Sequence, residues 1–149
     1  MAQDSWPRVI PMPTYEDVAR ASAWLCGAFG FTERERFAED DGKVSTVILD
    51  APGGGVIMLG WAGPAYQGPR RHRETCDAAR RWHEVPWVID GILVSVEDVD
   101  EHYRRARAAE AVILTEPEDA PYGRMYRVED LEGHRWMFSL ARDRRSASG

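Results

Sequence analysis

The chain has 149 residues, of which 44% are hydrophobic and 30% charged, a composition typical of one globular domain with a real core. A formal net charge of −6 argues against a nucleic-acid-binding surface, and no apolar run reaches the ~20 residues that a membrane span needs. The first 13 residues lack the basic and apolar regions of a secretory signal, and two cysteines make no disulfide framework. We therefore expect a cytoplasmic protein that binds neither nucleic acid nor membrane.

The first half of the chain predicts the element order β-α-β-β-β. A short apolar stretch from Val9 to Met12, interrupted by prolines, predicts an initial strand. The helix that follows is indicated by the helical spacing of apolar residues in TYEDVARASAWLCGAFGF, with Gly30 as its stop signal. TERERFAEDDGKVSTVILD predicts two strands joined by a hairpin turn at Asp41-Gly42, and APGGGVIMLGW predicts a third strand after a glycine-rich turn.

The second half repeats this order and some of its letters. A strand (WVIDGILVSV), a helix (EDVDEHYRRARAAEA) and three strands (VILTEP, YGRMYRVED and HRWMFSL) are predicted in turn. The letters Glu-Asp-Val at 16–18 recur at 97–99, and Asp50-x-x-Gly53 recurs as Asp130-x-x-Gly133. Matching offsets at matching places indicate a duplicated module, with module one at about 7–61 and module two at about 87–141.

The segment between the modules, residues 62–86, is rich in arginine and predicts one short helix from Glu74 to Trp82. A connection of this length inside a domain usually has a function or is mobile. Two interpretations stay open: a solvated linker, or a lid or dimer clasp that brings arginines to the mouth of a pocket. The tail, residues 142–149, is predicted to be frayed and without function.

Three segments carry a family resemblance: YEDVARASAWLCGAFGF, VSVEDVDEHYRRARAAEAVILTEPEDAPYG and YRVEDLEGHRWMF. They resemble the vicinal oxygen chelate superfamily of glyoxalases, bleomycin-resistance proteins and extradiol dioxygenases, and in particular its metal-free bleomycin-resistance-like members. The resemblance implies a single glyoxalase-like α+β domain over residues 1–149. Its two tandem β-α-β-β-β modules would form a cupped, partly closed mixed-sheet barrel around one cavity, within a homodimer.

The resemblance also implies a divalent metal, held by a His or Gln on the first strand of a module and a Glu on its last strand. Counted from the shared aspartates, these positions hold Ile10, Gly91 and Met137, with Ile57 or Met58 at the fourth. None of these side chains is a plausible ligand for a hard or borderline cation. The four histidines are predicted to be packed or solvated, so we expect no metal and no cofactor.

Alternation along the predicted strands gives a candidate cavity lining. The candidate ligand-binding residues are Ile10, Met12, Met58, Trp61, Leu93, Ser95, Arg135, Met137 and Ser139. For the fourth strand two faces stay open, one with Met58 and Gly60 and the other with Ile57, Leu59 and Trp61. The lining is mostly apolar with few polar groups, which is typical of small-molecule sites, although the same residues could fill a core. It contains no carboxylate or histidine, so no catalytic residue is predicted.

Our leading hypothesis is a metal-free binding protein that sequesters a small hydrophobic molecule, above all an aromatic one such as an antibiotic. The alternative is an enzyme of the same superfamily, a lyase, isomerase or ring-cleaving dioxygenase, with an off-pattern metal or an acid/base pair. A strand register that slips by one residue would exchange the two faces and favour that alternative. A third hypothesis is a regulatory or structural partner whose cavity is vestigial and whose arginine-rich insertion binds other proteins.

Overall fold

The helix predicted in each half of the chain is confirmed in a computed structural model, which describes residues 6–87 and 90–141. Helix α1 (Val18–Phe29) follows Asp17, whose carboxylate accepts a hydrogen bond from the amide of the third helical residue. The helix ends at Gly30, whose φ of 78° is left-handed and suits glycine. Helix α4 (Val99–Ala108) begins in the same way after Asp98. Each helix therefore begins where a short acidic side chain can cap its free amides.

The first sheet is antiparallel and has the order β1-β2-β3. Its strands are β1 (Thr32–Ala38), β2 (Val44–Asp50) and β3 (Val56–Gly60). The hairpin predicted at Asp41-Gly42 joins β1 to β2, with Gly42 at a positive φ of 87°. The local turn chemistry therefore sets this connection.

The strand predicted from Val9 to Met12 is wrong, because this segment lies beside β3 without forming a regular strand. The amides of Met58 and Gly60 donate to the carbonyl groups of Pro11 and Pro13 over 3.0 and 3.1 Å. Prolines have no N–H to donate, so this segment accepts hydrogen bonds from β3 but cannot complete a ladder.

The second sheet contains the four strands that are predicted along the second half of the chain. It consists of β4 (Gly91–Val96), β5 (Val112–Ala120), β6 (Gly123–Glu129) and β7 (Arg135–Leu140), in the order β4-β7-β6-β5. Strand β4 runs parallel to β7, and the other pairs are antiparallel. The sheet is therefore mixed, and β5 is longer than the predicted VILTEP segment.

The segment between the sheets contains two helices where one was predicted. Helix α2 (Pro69–Thr75) and helix α3 (Asp77–Trp82) are separated by Cys76, whose backbone is extended at φ −133° and ψ 111°. This single extended residue interrupts the helical hydrogen bonding. None of the helices in the described ranges is long and apolar enough to cross a membrane.

The two sheets share one core, formed where the helices cover them. Phe29 at the end of α1 reaches across to the second sheet, with ring-centroid distances of 5.6 Å to Trp136 and 4.8 Å to Phe138. Phe31 lies 5.5 Å from Trp136. The two pairs of Phe29 are edge-to-face, and such pairs add about 0.5–1.5 kcal/mol each beyond their area burial. The prediction that Trp136 and Phe138 are core residues is confirmed.

The predicted partly closed barrel is wrong. Within residues 6–87 and 90–141, no strand of the first sheet pairs with a strand of the second, so the sheets do not close on each other. A barrel needs hydrogen-bonded edges. Here the sheets meet through the side chains between them, and each turns its other face outward. The tail predicted to fray, residues 142–149, lies outside the described residues.

Candidate functional site

The second sheet has an outer face, which we define as the surface turned away from the shared core. Strand pairing places Leu93 beside Met137 and Met137 beside Arg127, so these three side chains form one row across the sheet. The neighbouring rows hold Gly91, Arg135 and Glu129 on one side, and Ser95, Ser139 and Met125 on the other. Five of the candidate ligand-binding residues, Leu93, Ser95, Arg135, Met137 and Ser139, therefore lie on one surface.

The outer face of the first sheet is set by Ile57 and Leu59, which are buried in the core and so leave Met58 on the opposite side. Of the two faces left open for this strand, the outer one therefore holds Met58 and Gly60. The prolines bonded to β3 flank Met12, which lies beside Met58 and is 71% exposed. Trp61 packs against the core instead, and the half-buried Ile10 precedes Met12 by two residues.

A cleft of about 830 Å³ lies between β4, the turn before β3, the end of α1 and the start of α4. This volume is in the range of small-molecule sites. Of the candidate ligand-binding residues, only Leu93 and Ser95 line it. Its other side chains include the apolar Val9, Phe29, Val56, Ile57, Ile92, Val94 and Val96 and the ionisable Glu97, Asp98, Glu101, His102 and Arg105. The cleft does not join the two outer faces, because neither Met58 nor Met137 lines it.

His102 lines the cleft and is a residue that the sequence analysis did not select. Its Nε2 lies 2.9 Å from the carbonyl oxygen of Phe29, and its Nδ1 lies 2.6 Å from the hydroxyl of Tyr126. A carbonyl can only accept, so Nε2 carries a proton and Nδ1 of the neutral ring accepts from Tyr126. Burial lowers the pKa of His102, the hydrogen bond to Phe29 opposes this, and Arg105 lowers it further. Its position three residues after the buried Val99 was the signal that could have identified it.

The arginine-rich segment is fixed to one end of the outer face of the second sheet. Arg73 of α2 donates to both carboxylate oxygens of Glu129, over 2.8 and 3.1 Å. Arg135 donates from Nε to Glu129 over 3.2 Å, and its other nitrogens donate to the carbonyl oxygens of His83, over 2.6 Å, and Val85. Glu129 is 1% exposed and Arg135 5% exposed. The segment is therefore docked on the sheet, which distinguishes it from a freely solvated linker.

Residues 13–138 match the family model described as the Glyoxalase/Bleomycin resistance protein/Dioxygenase superfamily. The chain belongs to this superfamily. Its resemblance to the vicinal oxygen chelate group is thereby confirmed, and so is its glyoxalase-like α+β fold. No curated protein matches the chain.

Solved structures support the same assignment. TioX from Micromonospora sp. ML1 is 33% identical, with a TM-score of 0.65 over 92% of this chain and 98% of TioX. A glyoxylase/bleomycin resistance protein/dioxygenase domain from Frankia sp. EAN1pec is 20% identical, with a TM-score of 0.66 over 93% and 100% of the two chains. A mutant of the fosfomycin resistance protein FosX from Listeria monocytogenes, complexed with Mn(II) and 1S,2S-dihydroxypropylphosphonic acid, is 14% identical, with a TM-score of 0.61 over 93% and 94%. The last two likenesses show the fold alone.

The residues of this superfamily member do not fit the divalent metal that its family resemblance implies. Met137 and Met58 stand on the outer faces where the pattern places ligands, and neither they nor Gly91 offers a nitrogen or oxygen side-chain ligand. Across residues 6–87 and 90–141, no three His, Cys, Asp or Glu side chains are grouped so that they could hold a metal ion. Both ring nitrogens of His102 are hydrogen-bonded, and Nε2 of His134 bonds the carbonyl oxygen of Thr14 over 2.6 Å.

Proposed function

We propose that this superfamily member is a metal-free binding protein that sequesters a small hydrophobic, aromatic molecule such as an antibiotic. The observation that carries the proposal is the row of Leu93 and Met137 on the outer face of the second sheet, with Ser95 and Ser139 in the next row. Leu93 is 58% exposed, so its side chain is available to a ligand. A surface that combines apolar side chains, one of them the adaptable Met137, with two hydroxyl groups suits an aromatic molecule.

The comparisons are compatible with a binding role but do not distinguish it from catalysis. The family description names resistance proteins together with dioxygenases, so membership is compatible with both binding and catalysis. What favours binding in this chain is the pair of Leu93 and Met137, whose side chains can contact a ligand but can neither move a proton nor offer a nitrogen or oxygen ligand to a divalent metal. Antibiotic resistance is therefore part of the proposal for this chain.

The proposal includes a homodimer in which a second copy covers the outer face of the first sheet, and the outer face of the second sheet stays open to the ligand. Large apolar side chains are exposed on the outer face of the first sheet, with Met12 71% and Phe37 48% exposed. Exposed apolar patches commonly mark surfaces that bind a ligand or a partner. Duplicated modules within one domain, and a cytoplasmic location, belong to the same proposal. Sedimentation equilibrium at micromolar concentration should report a dimer, and a monomer would contradict this part.

Binding is tested by titrating the protein with N-phenyl-1-naphthylamine, an uncharged aromatic dye that fluoresces in apolar surroundings. We expect saturable binding, and we expect Met137→Glu to weaken it by about tenfold or more because a carboxylate then replaces an apolar side chain that contacts the dye. Leu140→Glu is the matched control, since Leu140 is an exposed residue of the same strand that does not lie on the outer face. Val9→Glu places the same charge at the cleft. A protein that binds no dye would contradict the proposal, and loss of binding only in Val9→Glu would move the site to the cleft.

The enzymatic alternative is favoured by one observation, the neutral His102 in a cleft bordered by Glu97 and Glu101. A half-buried imidazole in a cleft that carboxylates also line is an arrangement that proton-transfer chemistry uses. A lyase or isomerase of this kind would lose its activity in His102→Gln while keeping its fold. Equal activity in the variant would contradict the alternative.

A further inference from the structure

The outer face of the second sheet carries two arginines in neighbouring rows, and their side chains are engaged differently. The sequence analysis assigned Arg135 to the ligand. In the structure its guanidinium is bonded to Glu129 and to the carbonyl oxygens of His83 and Val85. Arg135 therefore holds the α2–α3 segment against the sheet, and a ligand that used it would have to break a buried network.

Arg127 differs from Arg135 in this respect. It lies on β6 directly opposite Met137, and its own backbone amide donates to Oγ1 of Thr115 over 3.0 Å. Its guanidinium makes no ion pair with a carboxylate anywhere in residues 6–87 and 90–141, and the residue is half-buried. A guanidinium without a carboxylate partner keeps its positive charge available for an anion that reaches it.

The charges around Arg127 also favour an anion. Arg73, Arg135 and Glu129 together carry a net positive charge at one end of the outer face. At the other end Glu118 lies beside Met125, one row beyond Arg127. Arg127, Arg73 and Arg135 are thus three positive groups on this face beside the two negative groups Glu129 and Glu118, whereas the whole chain carries a net charge of −6.

We infer that Arg127 is the anion-binding residue of the proposed site, and that the ligand carries an acidic group, such as a carboxylate or sulfonate, on an apolar aromatic body. The aromatic body packs on Met137 and Leu93, and the acidic group meets the guanidinium one strand away. Neighbouring strands lie about 4.8 Å apart, a spacing that one aromatic ring system spans. The planar guanidinium can bind both oxygens of a carboxylate or sulfonate at once. This inference rests on the proposed binding function and narrows the class of ligand.

Two dyes that differ by one acidic group test the inference. 8-Anilinonaphthalene-1-sulfonate has the same ring system as N-phenyl-1-naphthylamine and adds a sulfonate. We expect Arg127→Gln to weaken binding of the sulfonate dye by about tenfold or more and binding of the uncharged dye by less than about twofold, since a charged hydrogen bond contributes more than a neutral one. Arg127→Lys keeps the charge without the planar fork and should fall between Arg127→Gln and the wild type.

Arg104→Gln is the matched control, because Arg104 is an exposed arginine of α4 on the helix-covered side of the same sheet. It should change binding of neither dye. Equal weakening of both dyes in Arg127→Gln, or weakening in neither, would overturn the assignment of Arg127 while leaving the binding function in place. A wild-type protein that binds neither dye would overturn the binding function and the inference together. Thermal unfolding of each variant separates lost binding from lost folding.

Discussion

Two turns with the same Asp-x-x-Gly spacing lead into the last strand of each sheet, and they differ in what surrounds them. In the second sheet Asp130 is fully buried. Its carboxylate accepts hydrogen bonds from the hydroxyl of Tyr15 over 2.6 Å and from the indole nitrogen of Trp136 over 3.0 Å. The amides of Glu132 and His134 donate to it over 3.0 Å each. These buried hydrogen bonds join the two halves of the chain, and we call this turn the closed junction.

The turn at Asp50 is more exposed, and we call it the open junction. The side chain of Asp50 is 37% exposed and pairs with the partly exposed Arg34 at the surface. Of the residues that follow it, Ala51, Pro52, Gly53 and Gly55 border the 830 Å³ cleft. The same local motif therefore has two different surroundings. It fixes the halves together at one junction and borders an open cleft at the other.

Replacing the two aspartates should give the largest contrast. Asp130→Ala leaves four donors without an acceptor in the interior, so we expect a loss of about 4 kcal/mol in the free energy of unfolding. Asp50→Ala removes an exposed ion pair, and we expect a loss of at most about 1 kcal/mol. Urea denaturation of the two variants and the wild type measures both values.

Asp130→Asn is the control for charge, because it keeps the shape and one acceptor of the carboxylate. Its loss should lie between those of the wild type and Asp130→Ala. Comparable losses in Asp50→Ala and Asp130→Ala would show that the two junctions contribute alike, and the distinction between a closed and an open junction would fail.

The glycines of the two turns provide a second, smaller contrast. Gly133 and Gly53 both have positive φ, 94° and 89°, so alanine is strained at either position. A Cβ at Gly133 would also lie 2.6 Å from the backbone nitrogen of Arg70, whereas a Cβ at Gly53 would meet nothing within 4 Å. We expect Gly53→Ala to cost about 1 kcal/mol and Gly133→Ala about 2–3 kcal/mol, because the second also displaces α2.

Limited trypsin digestion checks the displacement. Arg70 and its neighbours should be cleaved faster in Gly133→Ala than in the wild type, and Gly53→Ala should leave their cleavage unchanged. If the two alanines cost the same, the close contact between Arg70 and the turn would contribute nothing measurable, and docking of the segment would depend on its other contacts, such as those of Arg73 with Glu129 and of Arg135 with His83 and Val85.

Much of the fold was predictable because it depends on neighbours in sequence. Asp17 and Asp98 cap the helices that follow them, and Gly30 ends a helix through its own backbone freedom. The strand predicted from Val9 to Met12 does not form, for a related reason. Its apolar residues favour a strand, but its prolines lack the amides that a strand ladder requires. Local chemistry thus accounts for both the correct elements and the incorrect one.

The candidate site was less predictable because its key contacts are distant in sequence. Alternation along β7 placed Arg135 correctly on the outer face, but Arg135 bonds carbonyl oxygens about fifty residues earlier, at His83 and Val85. No local pattern separates an arginine used in this way from Arg127, which has no such partner among the described residues. His102 was missed similarly, because both of its hydrogen-bond partners, Phe29 and Tyr126, come from other elements.

The smallest expected effect concerns pH, and it should have opposite signs at the two junctions. Burial raises the pKa of Glu132 at the closed junction; the amides of Glu16 and Asp17 oppose this, while the carboxylates of Glu16 and Asp130 raise the pKa further. A raised pKa means that the folded state binds more protons than the unfolded state, so the contribution of Glu132 to stability falls as the pH rises through the raised value. His102 lines the cleft beside the open junction, and its pKa is lowered. The contribution of His102 to stability therefore falls as the pH drops below the ordinary histidine value of 6.5.

These slopes are isolated by comparing the wild type with Glu132→Gln and with His102→Gln in urea denaturation at a series of pH values. Relative to Glu132→Gln the wild type should become less stable as the pH rises, and relative to His102→Gln it should become less stable as the pH falls. The differences cancel the other titrating groups, which all three proteins share. If both differences ran in the same direction, the surroundings of Glu132 at the closed junction would not raise its pKa, or those of His102 would not lower its pKa. Opposite signs would mean that Glu132 contributes most to stability at low pH and His102 at higher pH. The region around the cleft, which His102 lines, would then be the one that low pH destabilises.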